Sequence, residues 1–478
     1  MKYKAEILSS QEQERIHSLS LRILSEIGVR YHGDKALEIL DKHGASVDWE
    51  TRVARIPREL VEQALGTSPK QLVLGARNPA YDYAMPSGIS RYCMDGTAAF
   101  ALDFETGERR YGTRQDIENG ARLFQTLELG VMAWAPTCAS DSASGSRPLH
   151  EFFTMAKFCS KHGQHELHTV EQVPYLVEGL VALLGSEEEV RRRKAFSLIY
   201  CPVAPLSHDG AMLDAYLELG QWKVPVMLMP MPVAGTTGPA SLFSNIALAN
   251  AELLSSVVVY QLAHPGRPLI YSSAVGSLDF RTGGFLGGTP EMGIQSAALT
   301  EMGHFYNLPA TSAGCTADAK QPGPEAVLEK LVTTIPPVLA GSEIIVGFGE
   351  IESDQLLVLE QYLVDHEIAR YCQRLLEGVD SSEGKDLFED IASVGPGGHF
   401  LSRKSTRQAP RGGEFFFPSL LNYNSHEAWL ELGKPTMYSK AREKVKEILA
   451  GPVIDPLPDA ITAKLDEILQ RADRELKE

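Results

Sequence analysis

The sequence predicts an α/β fold: a TIM (β/α)8 barrel with an N-terminal helical layer and a C-terminal helical extension. Three observations predict it. From about residue 131, short apolar runs rich in β-forming residues alternate with longer helical patterns. Those runs are continuous rather than alternating, as expected when both faces of a parallel sheet are covered. The last five begin at intervals of 29, 44, 40 and 35 residues, each long enough for one strand–helix unit.

Strands are expected near 131–135, 165–170, 195–201, 224–229, 268–273, 308–314 and 343–348. An eighth comes from 91–102 or from the 397–401 region, and helices from about 208–221, 240–263, 290–306, 324–340 and 356–377. An open doubly wound sheet is the alternative, but no GxGxxG follows a strand. Ahead of the barrel, Ser10 and Gln13 make a capping-box pattern, Ile16, Leu19, Ile23 and Ile27 follow at helical spacing, and Gly28 is placed to end that helix. A second helix over DKALEILDKH stops at Gly44, and a third runs from Pro57 to near Gly66. The tail from about residue 437 reads as two charged amphipathic helices separated by GPVIDPLP. The expected units are 1–90, 91–401 and 402–478.

Composition narrows the function. Apolar residues make up 44% and charged residues 22% of 478, which excludes a disordered or fibrous chain. With 45 Lys and Arg against 62 Asp and Glu the net charge is −17, which disfavours nucleic acid or an anionic membrane and fits a cationic ligand. No run of 18 apolar residues is present, and the N-terminus lacks an apolar core of signal-peptide length. Six scattered cysteines without a CxxC pair are neither a disulfide framework nor a zinc ribbon, so a reduced cytoplasm is the expected location.

In a barrel of this kind the functional residues follow the strands. His162, His165 and His168 are spaced HxxHxxH, but positions three apart on a strand point to opposite faces, so no metal is expected and His168 stands as a single polar pocket residue, with a plain core histidine as the alternative. Cys201 and Cys315 fall at strand ends; a catalytic thiolate needs a base or a positive field, and small buried side chains are the plainer expectation. The most informative segment is GFGEIESDQLL. Gly347 and Gly349 flank Phe348, and Glu350, Glu352 and Asp354 follow. Acids beside aromatics at a barrel mouth suit a cation. A strand-to-helix turn whose carboxylates favour the next helix is the structural alternative.

The run VGFGEIESDQLLVLEQYLVDHEI resembles the trimethylamine methyltransferase family, through Gly347, Gly349, Glu352, Ser353, Asp365, Glu367 and Ile368. SAGCTADAKQPGPEAVLEK, with Asp318, Lys320 and Glu325, is similar to another family stretch. So are GGHFL at 397–401, Thr406, and EFFFPSLLNYNSHEAWLELG, with Glu414, Pro418, Glu427, Trp429 and Gly433. The resemblance covers nearly the whole chain. It implies a barrel that moves a methyl group from a methylated amine to the Co(I) corrinoid (cobalamin) of a separate partner protein, with no cofactor bound tightly in this chain. The family's trimethylamine enzymes contain pyrrolysine and this sequence has only standard residues, which places it beside members acting on quaternary amines such as glycine betaine, proline betaine or carnitine. Ser405 also stands where the family often has His.

Chemistry agrees with a quaternary amine, whose leaving group is already neutral and needs no general acid. Phe348, Tyr200, Tyr271 and Trp134 are the expected aromatic walls, each contact worth roughly 0.5–2 kcal/mol when desolvated. Glu350 is the expected counter-charge at the reaction centre, and His168 or a backbone amide the contact for a betaine carboxylate. A homo-oligomer is expected. The rival readings are a non-catalytic betaine-binding protein and a barrel dehydrogenase or lyase, the latter disfavoured by the lack of a phosphate or dinucleotide motif.

Overall fold

The computed structural model describes residues 5–476, so the outermost ends of the expected first and last units (1–4, 477–478) lie outside the described residues. Eight parallel strands form the barrel: β1 (Arg91–Met94), β2 (Gly130–Trp134), β3 (His162–His165), β4 (Phe196–Tyr200), β5 (Val226–Leu228), β6 (Leu269–Tyr271), β7 (Ser312–Ala313) and β8 (Ile344–Phe348). Their spatial order is β6-β5-β4-β3-β2-β1-β8-β7. The two edges meet through a parallel bridge between Tyr271 and Ala310. There the Tyr271 N–H donates to Pro309 O (2.9 Å), Thr311 N–H to Tyr271 O (2.8 Å) and Ala313 N–H to Ser273 O (2.7 Å).

Ahead of the barrel stand α1 (Ser10–Arg22), α2 (Asp34–Lys42) and α3 (Arg58–Thr67). Around it run α4 (Arg114–Gln125), α5 (Arg147–Phe158), α6 (Val173–Leu184), α7 (Glu187–Arg193), α8 (Gly210–Glu218), α9 (Leu242–Ala263), α10 (Pro290–Phe305), α11 (Pro324–Ala340) and α12 (Leu359–Glu377). Three short helices follow, α13 (Phe388–Val394), α14 (Lys404–Gln408) and α15 (His426–Glu431), then α16 (Met437–Ala450) and α17 (Asp459–Glu475). The N-terminal helices pack on α9, which is why that helix is apolar on all sides and almost wholly buried. α16 lies over α4 and α12, and α17 over α5 and α6.

Several sequence expectations shift. The capping box is Ser9 with Glu12, not Ser10 with Gln13; Glu12 also accepts from the Ser9 N–H at 2.8 Å. That helix passes through a π-helical turn before Gly28, at φ +87°, ends it. The eighth strand is 91–94, whereas 397–401 is exposed and carries no strand. The strand expected at 165–170 ends at His165, leaving Glu166 and His168 in the loop beyond it.

The strand ends of β7 and β8 are tied to α12 by one buried ammonium. Lys330 of α11 donates to Cys315 O (2.7 Å), Gly347 O (2.9 Å) and the Asp365 carboxylate (2.9 Å), with both side chains fully shielded. Asp365 also accepts from the Gly349 N–H (2.8 Å) and from Gln361 Nε2 (2.7 Å). The geometry demands glycine at both strand-end positions: a Cβ on Gly347 (φ +151°) would stand 2.0 Å from Gly314 O, and one on Gly349 (φ +98°) 2.4 Å from the Tyr362 ring. Removing one member of a buried ion pair leaves the other charged and unpaired. Lys330→Met is therefore expected to cost about 3–5 kcal/mol in chemical denaturation. A loss below about 1 kcal/mol would contradict this role.

Candidate active site at the barrel mouth

Two groups of acids stand beyond the carboxyl ends of the strands. The first joins β1 and β8. Asp95 follows β1 directly, its N–H donating to Phe348 O (3.0 Å). Glu350 lies two residues past β8 in a short strand pair, 350–351 with 356–357, which continues into 100–102 and 109–111 as a small sheet over the mouth. Between the paired segments Glu352, Ser353 and Asp354 all take left-handed conformations, at φ +61°, +56° and +62°. For L residues this costs roughly 1–2 kcal/mol per position. It is held by contacts: Glu352 N–H to Ala319 O (3.0 Å), Ser353 N–H to Ala317 O (2.8 Å), Ser353 Oγ to Asp318 (2.6 Å) and the Arg109–Glu352 ion pair (3.0 Å). The turn brings Asp354 back toward Asp95 and Glu350.

Electrostatics at this group are one-sided. Burial pushes Glu350 well above the usual carboxylate range, and the charges of Asp95 and Asp354 push it further. Burial and then Asp354 do the same to Asp95, and burial raises Asp354. Neither oxygen of Glu350 has a hydrogen-bond partner among the described residues, whereas Asp95 and Asp354 hydrogen-bond each other, side chain to side chain. Lys330 draws all three down, but it is already paired with Asp365. Four acids thus surround one buried cation.

The second group joins β2 and β3. Glu166 accepts from Thr97 Oγ1 (2.8 Å) and from Trp134 Nε1 (3.1 Å). His165 stands between Glu151 (3.1 Å) and Glu166 (3.5 Å). Burial opposes charge on this ring, but the Glu166 and Glu151 carboxylates outweigh it and raise His165 above its ordinary value. Nearby thiols are not activated. Burial pushes Cys138 up to about 11 and Cys201 up to about 12, and raises Cys315 well above the usual thiol range.

Most of the expected aromatic box lies elsewhere. Tyr200 bonds His208 Nδ1 (2.8 Å) and packs edge-on against Tyr216 of α8 and Tyr260 of α9. Tyr271 donates to Asn250 Oδ1 of α9 (2.8 Å). Phe348 stacks on Tyr92 at 4.8 Å and meets Phe124 of α4 edge-on. All three close their strands with the side chain turned outward, because alternation along a strand sends neighbouring residues to opposite faces. Of the four expected walls, Trp134 is the one whose side chain bonds a mouth acid, Glu166. His168 is exposed, and only its backbone N–H is engaged, with Gln172 (2.8 Å). The three spaced histidines separate: His162, at the amino end of β3, bonds Gly75 O (2.7 Å) and Ser197 (2.9 Å), far from the partners of His165. Glu151 and Glu166 are the mouth residues that sequence reasoning does not select, while Asp95 and Thr97, at a strand end, and His165, in the spaced trio, are noticed there without a role. Asp95 carried a signal, since it follows an apolar run directly.

Over residues 2–477 the chain matches the family described as trimethylamine methyltransferase (MTTB). The chain belongs to the trimethylamine methyltransferase family. Among relatives, trimethylamine methyltransferase MttB of Methanosarcina thermophila is 31% identical, over 94% of this chain and 94% of its own. Glycine betaine methyltransferase of Desulfitobacterium hafniense (strain Y51) is 29% identical, over 99% of this chain and 98% of its own. In fold, the chain is similar to the MtmB of a hydroxylamine complex, with a TM-score of 0.50 and 11% identity over 93% of this chain and 89% of that one. Family membership makes the mouth acids a candidate methyl-transfer site, whereas Phe348 packs against Tyr92 and Phe124. Phe348→Ala is expected to cost about 3–5 kcal/mol in denaturant titration, as a large buried side chain does. A full loss of methyl transfer with stability intact would place Phe348 in the site instead.

Proposed function

We propose that the protein removes a methyl group from a quaternary ammonium compound, glycine betaine being the nearest example, and passes it to the Co(I) corrinoid of a partner protein that docks at the barrel mouth. The supporting observation is the unneutralised acid group: Glu350 is fully buried with both oxygens unpartnered, beside Asp95 and Asp354. An unpaired carboxyl in a buried site protonates or finds a cation. A quaternary ammonium offers fixed charge and no N–H, so it needs a counter-charge and an aromatic face rather than hydrogen-bond acceptors. Glu350, Asp95 and Asp354 supply the charge, and Trp134 the face.

The reaction asks little else of the chain. The C–N bond breaks with its electron pair going to nitrogen, the amine leaves neutral, and the methyl carbon goes to Co(I). No proton has to move at nitrogen. The site must hold nitrogen and methyl in line with the mouth, and this positioning is the main contribution open to it. Trimethylammonium would first have to lose its proton, and a neutral amine gains less from an acidic mouth. The name of the Desulfitobacterium relative supports the choice of a betaine.

Methyl transfer to reduced cobalamin or its carrier protein tests the reading, with glycine betaine, proline betaine, carnitine and trimethylamine as donors. At least one quaternary amine is expected to turn over at least tenfold faster than trimethylamine. Glu350→Gln should lower that rate at least tenfold while leaving stability equal or higher, since it removes a buried acid without a partner. Tight binding without turnover for every quaternary amine, or trimethylamine as the best donor, would contradict it. The pH dependence has a fixed sign. Carboxyls raised in the free protein ionise when a cation arrives, so binding releases protons and affinity rises with pH until the free-state values are passed. Calorimetry in buffers of different ionisation enthalpy should record that release, and an affinity independent of pH would contradict it.

A further inference from the structure

Between α12 and α16 the chain leaves the barrel for a segment that does not form a core of its own. Across 379–432, Leu420 is the one large apolar side chain that is fully buried among the described residues. The same stretch holds eleven of the twenty-five large apolar side chains that are exposed in the described chain, in about a ninth of its length. Phe388, Ile391, Leu401, Phe415, Phe417 and Tyr423 are all between 57% and 76% exposed. Aromatic side chains present about 150–250 Å2 each, so eleven large apolar groups at this exposure offer on the order of 1,000 Å2. Monomers rarely show more than about 300–600 Å2 in one patch, and a standard interface takes about 800 Å2 from each partner.

We propose that this segment is a dimer arm, covered by the same segment of a second copy of this chain. Its charge is arranged for self-pairing. Residues 379–390 carry five acids against one lysine, and 391–413 carry Arg403, Lys404, Arg407 and Arg411 with no acid. Asp390 bonds Arg403 and Ser405 within the arm, but Glu383, Glu389, Lys404, Arg407 and Arg411 make no ion pair among the described residues, which leaves unpaired charges of both signs on the segment. A two-fold interface lets the unpaired acids of one arm meet the unpaired bases of the other, as self-complementary contacts require. Position also favours a second copy over the methyl acceptor. The arm is anchored along the part of α12 that runs away from the mouth: Glu367 accepts from the Ser419 N–H (2.8 Å), Tyr371 meets Tyr423 (3.0 Å), and Arg374 donates to Glu414 O (2.7 Å). An acceptor has to meet the opposite end of the barrel.

Sedimentation velocity of the full chain at micromolar concentration tests this without reference to catalysis. The expected species has twice the 52.3 kDa of one chain. Phe388→Glu with Leu401→Glu should convert it to monomer with unaltered far-ultraviolet circular dichroism, and Arg407→Glu should weaken association at least threefold at low salt. Should the double variant fold poorly, the single Arg407→Glu variant still decides the matter. A monomeric parent chain overturns the proposal. So does an oligomer indifferent to all three substitutions, or a monomer that instead binds a corrinoid protein through the arm.

Discussion

The buried ammonium of Lys330 is the interaction on which the rest of the molecule turns. It satisfies two strand-end carbonyls and one carboxylate, and so fixes β7, β8 and α12 in one arrangement. That arrangement sets where Gly349 releases the chain into the cap, and therefore where Glu350 and Asp354 come to rest. Its charge is also the one that reaches Asp95, Asp354 and Glu350 from within the described protein. Because Asp365 already balances it, the mouth keeps an excess of acid. A fold-stabilising pair and a ligand-seeking deficit are two sides of the same count of charges.

The strained turn at Glu352–Asp354 fits this account. Three successive left-handed residues persist only where the surroundings over-determine them, and here Asp318, Arg109 and two backbone carbonyls do so. The outcome is a convergence of like charges that no packing argument would select. Across the mouth, Glu166 is satisfied by Trp134 and Thr97 and flanked by His165. On one side of the mouth the Glu151 and Glu166 carboxylates are hydrogen-bonded, and the other side is electrostatically open.

Much of the fold was legible in the residues because its signals are local. Continuous apolar runs marked β2, β4, β5, β6 and β8, and helical patterns with Pro or Gly at their ends marked α9 to α12. Register was less accessible. HGQHELH carries no apolar pattern, so the strand expected at 165–170 starts three residues after β3 does, which makes Glu166 a strand residue instead of a mouth acid and brings His168 into the site. Facing failed for a related reason. Tyr200, Tyr271 and Phe348 sit at the right height, but a buried strand is apolar on both faces and the sequence does not say which residue turns inward. Glu350 was selected from its neighbours alone. Its environment depends on Asp95, some 255 positions away, which only the closed barrel brings near.

The central claim is that the mouth carboxyls are neutral when the site is empty and become charged when a quaternary ammonium enters. Infrared difference spectroscopy reads this directly, by recording the band of protonated carboxyl groups before and after glycine betaine or a related donor is added at neutral pH. The account predicts loss of protonated carboxyl intensity with a matching gain of carboxylate, and a smaller change in Glu350→Gln. A spectrum in which a bound donor leaves the protonated carboxyl band untouched would contradict it.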